Sequence, residues 1–232
     1  MTGEIVLTVL LSLRSPPSQL KRICHKKFVR CPHHHTMTQR CLLIIDLLND
    51  FLDHWDRQTV EVLVSNTNRL ASAFRERQFP VIWVKQEFRP DLSDAFLEMR
   101  DRQVRICIEG TRGARLHPDL DCRSDDSVIV KKRYSAFFRT GLDDLLLQSD
   151  VDEITICGIN THACVRMAAI DAYQRDIRVV LAKECIGSYD NAHAQMSLSY
   201  MDGKIARLTP VAEILAGLPA VNDLGAALSA EV

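Results

Sequence analysis

Several features that the sequence lacks exclude whole classes of protein. No apolar stretch approaches the roughly 20 residues that a membrane-spanning helix needs. The formal net charge is only −1, so no charge excess points to nucleic acid or to an acidic membrane as a partner. The eight cysteines follow no regular spacing, and several lie in apolar runs, as reduced core cysteines do. We therefore expect a cytoplasmic protein without nucleic-acid or membrane partners.

Glycine is also scarce, with nine in 232 residues. The segment after the first apolar run, "DLLNDF" (46–51), contains none. A dinucleotide-binding loop needs several glycines at this place, because the backbone must approach the pyrophosphate closely. The sequence thus argues against a nucleotide cofactor, and we expect no cofactor at all.

The first 36 residues differ from the rest of the chain. The apolar run "EIVLTVLLSL" has no basic segment before it and no clear cleavage site after it, unlike a secretory signal. Periodic structure begins only at "RCLLIID", so we interpret residues 1–36 as a disordered or extraneous extension and residues 37–232 as one domain. We expect a chain starting at Met37 to fold and act normally. The basic, acid-poor composition is also compatible with mitochondrial import, and the Cys and His cluster between Cys24 and His35 fits no compact zinc finger.

From residue 41 onwards, short apolar runs alternate with segments of helical periodicity. The predicted strands are 41–46, 80–86, 127–132, 153–157, 177–183 and 204–208. Thr140 and Thr209 are the predicted N-caps of two of the intervening helices, with Pro210 at the first position of the second. Such alternation is typical of an α/β fold. We predict a single, doubly wound domain with a six-stranded parallel sheet in the order 3-2-1-4-5-6, flanked by helices.

In such sheets ligands bind at the carboxyl ends of the strands, where the strand order reverses. Asp46 ends the first predicted strand, Lys131 lies at the end of the third, and Cys164 follows the fourth. Singly, each has an ordinary explanation: a turn former, a solvated charge and a small core residue. Together they fit nucleophilic catalysis. A cysteine in the first turn of a helix near an ammonium has a lowered pKa, and a carboxylate can accept its proton.

Three segments carry a resemblance to a known family. They are "DLLNDF" (46–51), "KKRYSAFFRTGLDDLL" (131–146) and "CGINTHACVRMAAIDAYQRD" (157–176). In order and spacing they are similar to the isochorismatase-like cysteine hydrolases, which include nicotinamidases, N-carbamoylsarcosine amidases, ureidoacrylate amidohydrolases and isochorismatases. The resemblance runs from about residue 41 to 215 and implies a catalytic triad of Asp46, Lys131 and Cys164. It also implies a cis peptide between Ile159 and Asn160, an oxyanion hole formed by the backbone N–H groups of Asn160 and Cys164, and a homodimer or homotetramer.

The sequence departs from the family pattern in two places. Leu48 stands where the family often has glutamine, which changes how the first loop is held. The metal-binding nicotinamidases carry histidines after the second strand, but no histidine lies between His54 and His117 here. We therefore predict that the site binds no metal.

The resulting hypothesis is a cysteine-dependent hydrolase that cleaves the C–N bond of a small amide, ureido or carbamoyl compound through a thioester. Its small-molecule substrate is expected to contact Phe51, Glu87, Arg89 and Tyr134, in a small cleft suited to a compact planar amide. Two alternatives stay open. One is a vinyl-ether hydrolase of the isochorismatase type, in which Asp46 is the general acid, although that branch carries glycine where this chain has Cys164. The other is a non-catalytic oligomeric member of the family.

Overall fold

The computed structural model describes residues 38–220, so the expectations for residues 1–36 lie outside the described part of the chain. The strands are β1 (Arg40–Ile45), β2 (Val81–Gln86), β3 (Ser127–Lys131), β4 (Glu153–Ile159), β5 (Arg178–Gly187) and β6 (Arg207–Thr209). The helices are α1 (Asn49–Leu52), α2 (Arg57–Glu76), α3 (Leu97–Arg102), α4 (Leu142–Gln148), α5 (Arg166–Tyr173), α6 (Asn191–Met201) and α7 (Val211–Ala216). A π-helical turn, Thr161–Val165, precedes α5. Within the described range, no helix has both the length and the apolar character needed to cross a bilayer.

The six strands form one sheet in the order β3-β2-β1-β4-β5-β6, and every neighbouring pair is parallel. The predicted fold class and strand order are therefore confirmed. The strand order reverses between β1 and β4, which run side by side in the middle of the sheet. Residues that follow these two strands consequently meet at one edge.

Both faces of the sheet are covered by helices, which explains the continuous apolar sequence of β1. Leu43 and Ile45 pack into the layer beneath α4 and α5, whereas Leu42 and Ile44 pack into the layer beneath α2 and α7. All four side chains are fully buried. Because side chains alternate along a strand, a strand buried on both faces needs an apolar residue at every position.

Several predicted boundaries are wrong. β5 ends at Gly187 rather than at residue 183, and β6 covers Arg207–Thr209 rather than 204–208. A tight turn explains the second shift, since the N–H of Gly203 donates to the carbonyl oxygen of Ala206 at 2.9 Å. The N-cap of α4 is Gly141 instead of Thr140, and that of α7 is Pro210 instead of Thr209.

Gly158 allows β1 and β4 to approach each other directly before the site. Its φ is +121°, and a Cβ atom at this position would lie 2.0 Å from the carbonyl oxygen of Ile45. That oxygen belongs to the backbone of a fully buried strand and cannot move aside cheaply. Both the backbone conformation and the space therefore require glycine.

We expect Gly158→Ala to lower the free energy of unfolding by about 3 kcal/mol or more, because the new methyl group separates the two central strands. Urea unfolding followed by circular dichroism measures the change. Gly141→Ala is the matched control, since a Cβ atom there meets open space, and it should cost about 1 kcal/mol or less. Equal effects of the two substitutions would contradict this role of Gly158.

Candidate active site

Asp46, Lys131 and Cys164 meet at the carboxyl end of the sheet. Asp46 directly follows β1 with a φ of +57°, a left-handed conformation that aspartate tolerates better than most residues. Lys131 is the last residue of β3, and Cys164 lies in the π-helical turn after β4. Side-chain exposure is 0% for Lys131 and 1% for Asp46, and Cys164 is 5% exposed.

The strand order explains why a lysine stands at position 131. β3 is separated from β1 by β2, and adjacent strands lie roughly 4.8 Å apart, so the backbones of β3 and β1 are about 10 Å apart. The long side chain of Lys131 bridges this gap and brings Nζ to 2.7 Å from Oδ2 of Asp46. A shorter basic or polar side chain at this position does not cover the distance.

The Lys131 ammonium group is the centre of the site. Besides Asp46, it contacts the Sγ atom of Cys164 at 3.4 Å and donates to Oε1 of Gln86 at 3.1 Å. A further hydrogen bond, also of 3.1 Å, goes to the carbonyl oxygen of Arg133. Gln86 is the register partner of Lys131 on the neighbouring strand. These contacts hold the ammonium group between the carboxylate and the thiol.

The electrostatics keep Lys131 positively charged. Burial by itself lowers the pKa of Lys131, but the nearby Asp46 carboxylate and the Cys164 sulfur raise it by more, so the net direction is upward. Oδ2 of Asp46 pairs with Lys131, and the same carboxylate lies close enough to the Cys164 thiol to raise its pKa. Because Asp46 also lines the cavity, it is placed to exchange a proton there.

The expectation of a lowered cysteine pKa is wrong for this site. Burial and the charge of Asp46 raise the pKa of the Cys164 thiol to about 12, while Lys131 only partly offsets them. Sequence reasoning counted the ammonium and the helix end but not the loss of solvent around a buried sulfur. Cys164 thus rests as a neutral thiol, and a thiolate forms only when a base removes its proton.

This protonation state predicts an unusual pH dependence of alkylation. We expect iodoacetamide to modify Cys164 more slowly than free cysteine at neutral pH, with a rate that keeps rising towards pH 12, because its pKa is raised to about 12. Free cysteine levels off above its ordinary pKa of about 8.5. Peptide mapping by mass spectrometry measures the rate at Cys164 alone. A plateau below about pH 9 would contradict a raised pKa.

The backbone around Cys164 takes a form that the sequence did not predict. The N–H of Val165 donates to the carbonyl oxygen of Asn160 at 3.2 Å, the spacing of a π-helical rather than an α-helical turn. The peptide bond between Ile159 and Asn160 is cis, as the resemblance implied. Asn160 and Cys164 line the same cavity, on the side where an oxyanion hole is expected.

A cavity of about 1060 Å³ opens onto the thiol. Of the expected substrate contacts, Phe51 and Tyr134 line it, but Glu87 and Arg89 do not. The Glu87 carboxylate pairs instead with Lys85 at 2.7 Å. The Arg89 side chain is 67% exposed and lies 4.0 Å from Asp94. The alternation of side chains along a strand explains this wrong assignment, because Gln86, one residue before Glu87, is the residue whose side chain faces the cavity.

Further residues that the sequence did not single out border the thiol. Gln86 is the last residue of β2, as Lys131 is the last residue of β3. This shared position at a strand end could have identified Gln86 as a site residue. His162 and Tyr189 line the cavity beside Cys164, and their rings pack edge to face with centroids 5.1 Å apart. Nδ1 of His162 lies 2.6 Å from the hydroxyl of Ser188, and burial lowers the pKa of His162.

Two further observations concern other sites. Across residues 38–220, no three His, Cys, Asp or Glu side chains are grouped so that they could hold a metal ion. A second cavity, of about 670 Å³, lies beside α2 and is lined by residues such as Trp55 and His117. None of the three residues Asp46, Lys131 and Cys164 lines it, so this second cavity is separate from the candidate site.

Similar proteins of known sequence include both enzymes and a protein described as inactive. Enterobactin synthase component B of Escherichia coli K12 is 29% identical over 77% of this chain. The match covers 64% of that relative, so this chain spans less than two thirds of its length. A "probable inactive nicotinamidase" of Arabidopsis thaliana is 36% identical, over 58% of this chain and 73% of its own. Nicotinamidase of Escherichia coli K12 is 29% identical, over 70% and 92% of the two chains.

Solved structures share the fold over most of their length. An isochorismatase family protein of Desulfovibrio vulgaris superposes with a TM-score of 0.69 at 28% identity, covering 77% of this chain and 99% of its own. An N-carbamoylsarcosine amidase of Thermoplasma acidophilum superposes with a TM-score of 0.65 at 21% identity, covering 75% and 97%. The isochorismatase domain family matches residues 40–213. With this match over most of its length, and with the fold and motifs described above, the chain belongs to the isochorismatase-like hydrolase family.

Proposed function

We propose that this protein is a cysteine-dependent hydrolase that cleaves the C–N bond of a small amide, ureido or carbamoyl compound. The observation that carries the proposal is the position of the Lys131 ammonium, 2.7 Å from the Asp46 carboxylate and 3.4 Å from the Cys164 sulfur. The base and the nucleophile thus line one cavity, and the cation is buried in contact with both. A binding protein gains nothing from burying this combination, because buried charges are costly.

In the first half of the proposed reaction, Asp46 removes the proton from the Cys164 thiol as the sulfur attacks the substrate carbonyl carbon. The negative charge moves to the carbonyl oxygen, which accepts hydrogen bonds from the backbone N–H groups of Asn160 and Cys164. The tetrahedral intermediate then collapses. Its C–N bond breaks, and the leaving nitrogen takes the proton from Asp46, so that ammonia or an amine departs and a thioester remains on Cys164.

In the second half, water replaces the amine. Asp46, again a carboxylate, takes a proton from the water as its oxygen attacks the thioester carbon. The carbon–sulfur bond breaks, the acid product leaves, and the sulfur regains a proton from Asp46. Lys131 keeps its proton throughout, because its pKa is raised by the adjacent Asp46 and Cys164 despite its burial. It stabilises the carboxylate and the transient thiolate in turn.

A vinyl-ether hydrolase of the isochorismatase type is the second candidate. The observation that favours it is the position of Asp46, which lines the cavity. A protonated Asp46 can deliver a proton to a substrate there without any help from a thiol. Cys164 argues for amide chemistry instead, because a vinyl-ether hydrolase of this design has no use for a sulfur at van der Waals distance from its lysine.

The oligomeric state and the non-catalytic alternative also remain proposals. The homodimer or homotetramer rests on the family resemblance. The relative from Arabidopsis thaliana that is described as a "probable inactive nicotinamidase" supports the alternative of a non-catalytic family member. The buried juxtaposition of Asp46, Lys131 and Cys164 speaks for catalysis, since a silent family member has no need to retain it.

A panel of small amides, tested with EDTA and without added metal, examines the proposed function. We expect ammonia release from an acyclic ureido or carbamoyl substrate, and much slower release from nicotinamide, whose ring nitrogen has no metal to bind. Efficient nicotinamide hydrolysis that EDTA abolishes would overturn both the proposed substrate class and the proposed absence of a metal. No ammonia from any member of the panel would count against amidase activity itself.

A further inference from the structure

The mouth of the catalytic cavity is lined by apolar side chains that are partly or mostly exposed to water. They are Leu97, Val104, Ile106, Tyr134, Met167 and Tyr189, and the least exposed of them, Val104, is 36% exposed. Tyr189 is 73% exposed and Leu97 is 70% exposed. Single exposed apolar side chains are ordinary, but a group around one opening marks a site for an apolar ligand.

One side of the mouth is a stack of aromatic rings. The rings of Phe88 and Phe96 pack edge to face with centroids 5.8 Å apart, and Tyr134 lies against Phe96 at 4.7 Å. The guanidinium carbon of Arg133 lies 5.2 Å from the centroid of the Phe96 ring. These contacts fix the orientation of Phe96 and Tyr134, so the aromatic surface is already formed without a ligand.

The other side of the mouth comes from different strands. Met167 belongs to α5, which follows β4, and Tyr189 follows β5. The aromatic stack follows β2 and β3 instead. Because β1 lies between β2 and β4 in the sheet, the two apolar surfaces flank the crevice that holds Cys164. A flat body inserted between them contacts both.

The size of the cavity agrees with such a body. At about 1060 Å³ it is as large as sites that bind drug-sized ligands, and a urea-sized molecule fills only a small part of it. The cavity is thus larger than the compact cleft expected from the sequence. We propose that the substrate carries an apolar, ring-sized body next to its ureido or carbamoyl group. This inference rests on the proposed function.

Hydrolysis of a matched pair of substrates tests the inference. Methylurea and benzylurea share the ureido group and differ in the apolar body. We expect kcat/KM for ammonia release to be roughly 100-fold higher for benzylurea, since each buried methylene alone changes this ratio by about tenfold or more. Values within about twofold of each other would overturn the inference. No detectable ammonia release from benzylurea would contradict the proposed function. The preference of the cavity for an apolar body is then decided by the second test.

Alkylation of Cys164 supplies that second test, which requires no turnover. Iodoacetamide and N-benzyl iodoacetamide carry the same reactive carbon, and peptide mapping gives their rates at Cys164. For each thiol, the rate with the benzyl reagent is divided by the rate with iodoacetamide. We expect this ratio to be roughly tenfold higher at Cys164 than for glutathione. A ratio equal to that for glutathione would show that the cavity does not recognise an apolar body, whatever the outcome with the ureas.

Two exposed leucines provide matched variants. Leu97→Asp places a charge at the cavity mouth, whereas Leu147 is 58% exposed on α4 and lies away from the cavity. We expect Leu97→Asp to lower the benzyl preference about tenfold in both tests, and Leu147→Asp to leave it unchanged. Circular dichroism confirms that both variants fold. An unchanged preference in Leu97→Asp, or an equal loss in Leu147→Asp, would contradict the proposed location.

Discussion

Cys164→Ala should lower kcat/KM for amide hydrolysis by at least about 10⁴-fold, because it removes the nucleophile and leaves only binding and the oxyanion hole. The substitution removes one sulfur atom from a side chain that is 5% exposed, so the fold should persist. Ammonia release from the best substrate of the panel, measured against wild-type protein at the same concentration, gives the ratio.

Cys122→Ala is the matched control for this prediction. Cys122 is partly buried against the layer beneath α2 and does not line the catalytic cavity. Its substitution should change kcat/KM by less than about twofold. If Cys164→Ala kept its amidase activity, the thioester mechanism would be excluded. If it also turned over isochorismate, the vinyl-ether mechanism with Asp46 as general acid would replace it.

Lys131→Met should lower the free energy of unfolding by about 3–5 kcal/mol, since it leaves the carboxylate of Asp46 buried without its partner. Asp46 and Lys131 are both at most 1% exposed, so water compensates for the lost ion pair only in part. Amidase activity should fall as well, because the lysine charge that stabilises the Cys164 thiolate is gone. Urea unfolding at neutral pH measures the stability, and ammonia release measures the activity.

The double variant Lys131→Met, Asp46→Asn separates the lost charge pair from the lost packing. With no charge left at the site, it should recover much of the stability that Lys131→Met loses.

The fold raises the pKa of Lys131, so its charge stabilises the protein fully below the unfolded pKa of about 10.4. That contribution is lost only as pH rises through the folded value. A double variant less stable than Lys131→Met would contradict an unpaired buried charge as the cause.

The sequence predicted those features that depend on local pattern and chain order. Short apolar runs alternating with helical segments leave few arrangements of a parallel sheet, and β1 to β6 follow the expected one. The predicted strand order also places Asp46 and Cys164 at the reversal point, where the structure has them. The contact between Lys131 and Asp46 was harder to predict, because the lysine side chain reaches across an intervening strand.

The remaining features depend on burial and on backbone and side-chain geometry that residue spacing does not reveal. The pKa of Cys164 is raised by burial, which no spacing of residues along the chain reveals. The π-helical turn depends on a bond from Val165 to Asn160 that helical periodicity does not distinguish from an α-helical one. Glu87 and Arg89 were assigned to the cavity from their place after β2, but their side chains pair with Lys85 and Asp94. Gln86, one position earlier on the strand, is the residue whose side chain faces the cavity.

Trapping the covalent intermediate tests the proposed mechanism most directly. The protein is mixed with the best substrate of the panel, quenched in acid within the first turnovers, and digested for mass spectrometry. Our account predicts that the peptide containing Cys164 gains the mass of the acyl or carbamoyl group, that hydroxylamine removes this mass, and that the other cysteines stay unmodified. Rapid turnover with an unmodified Cys164 peptide, in a protein whose Cys164→Ala variant remains equally active, would contradict it.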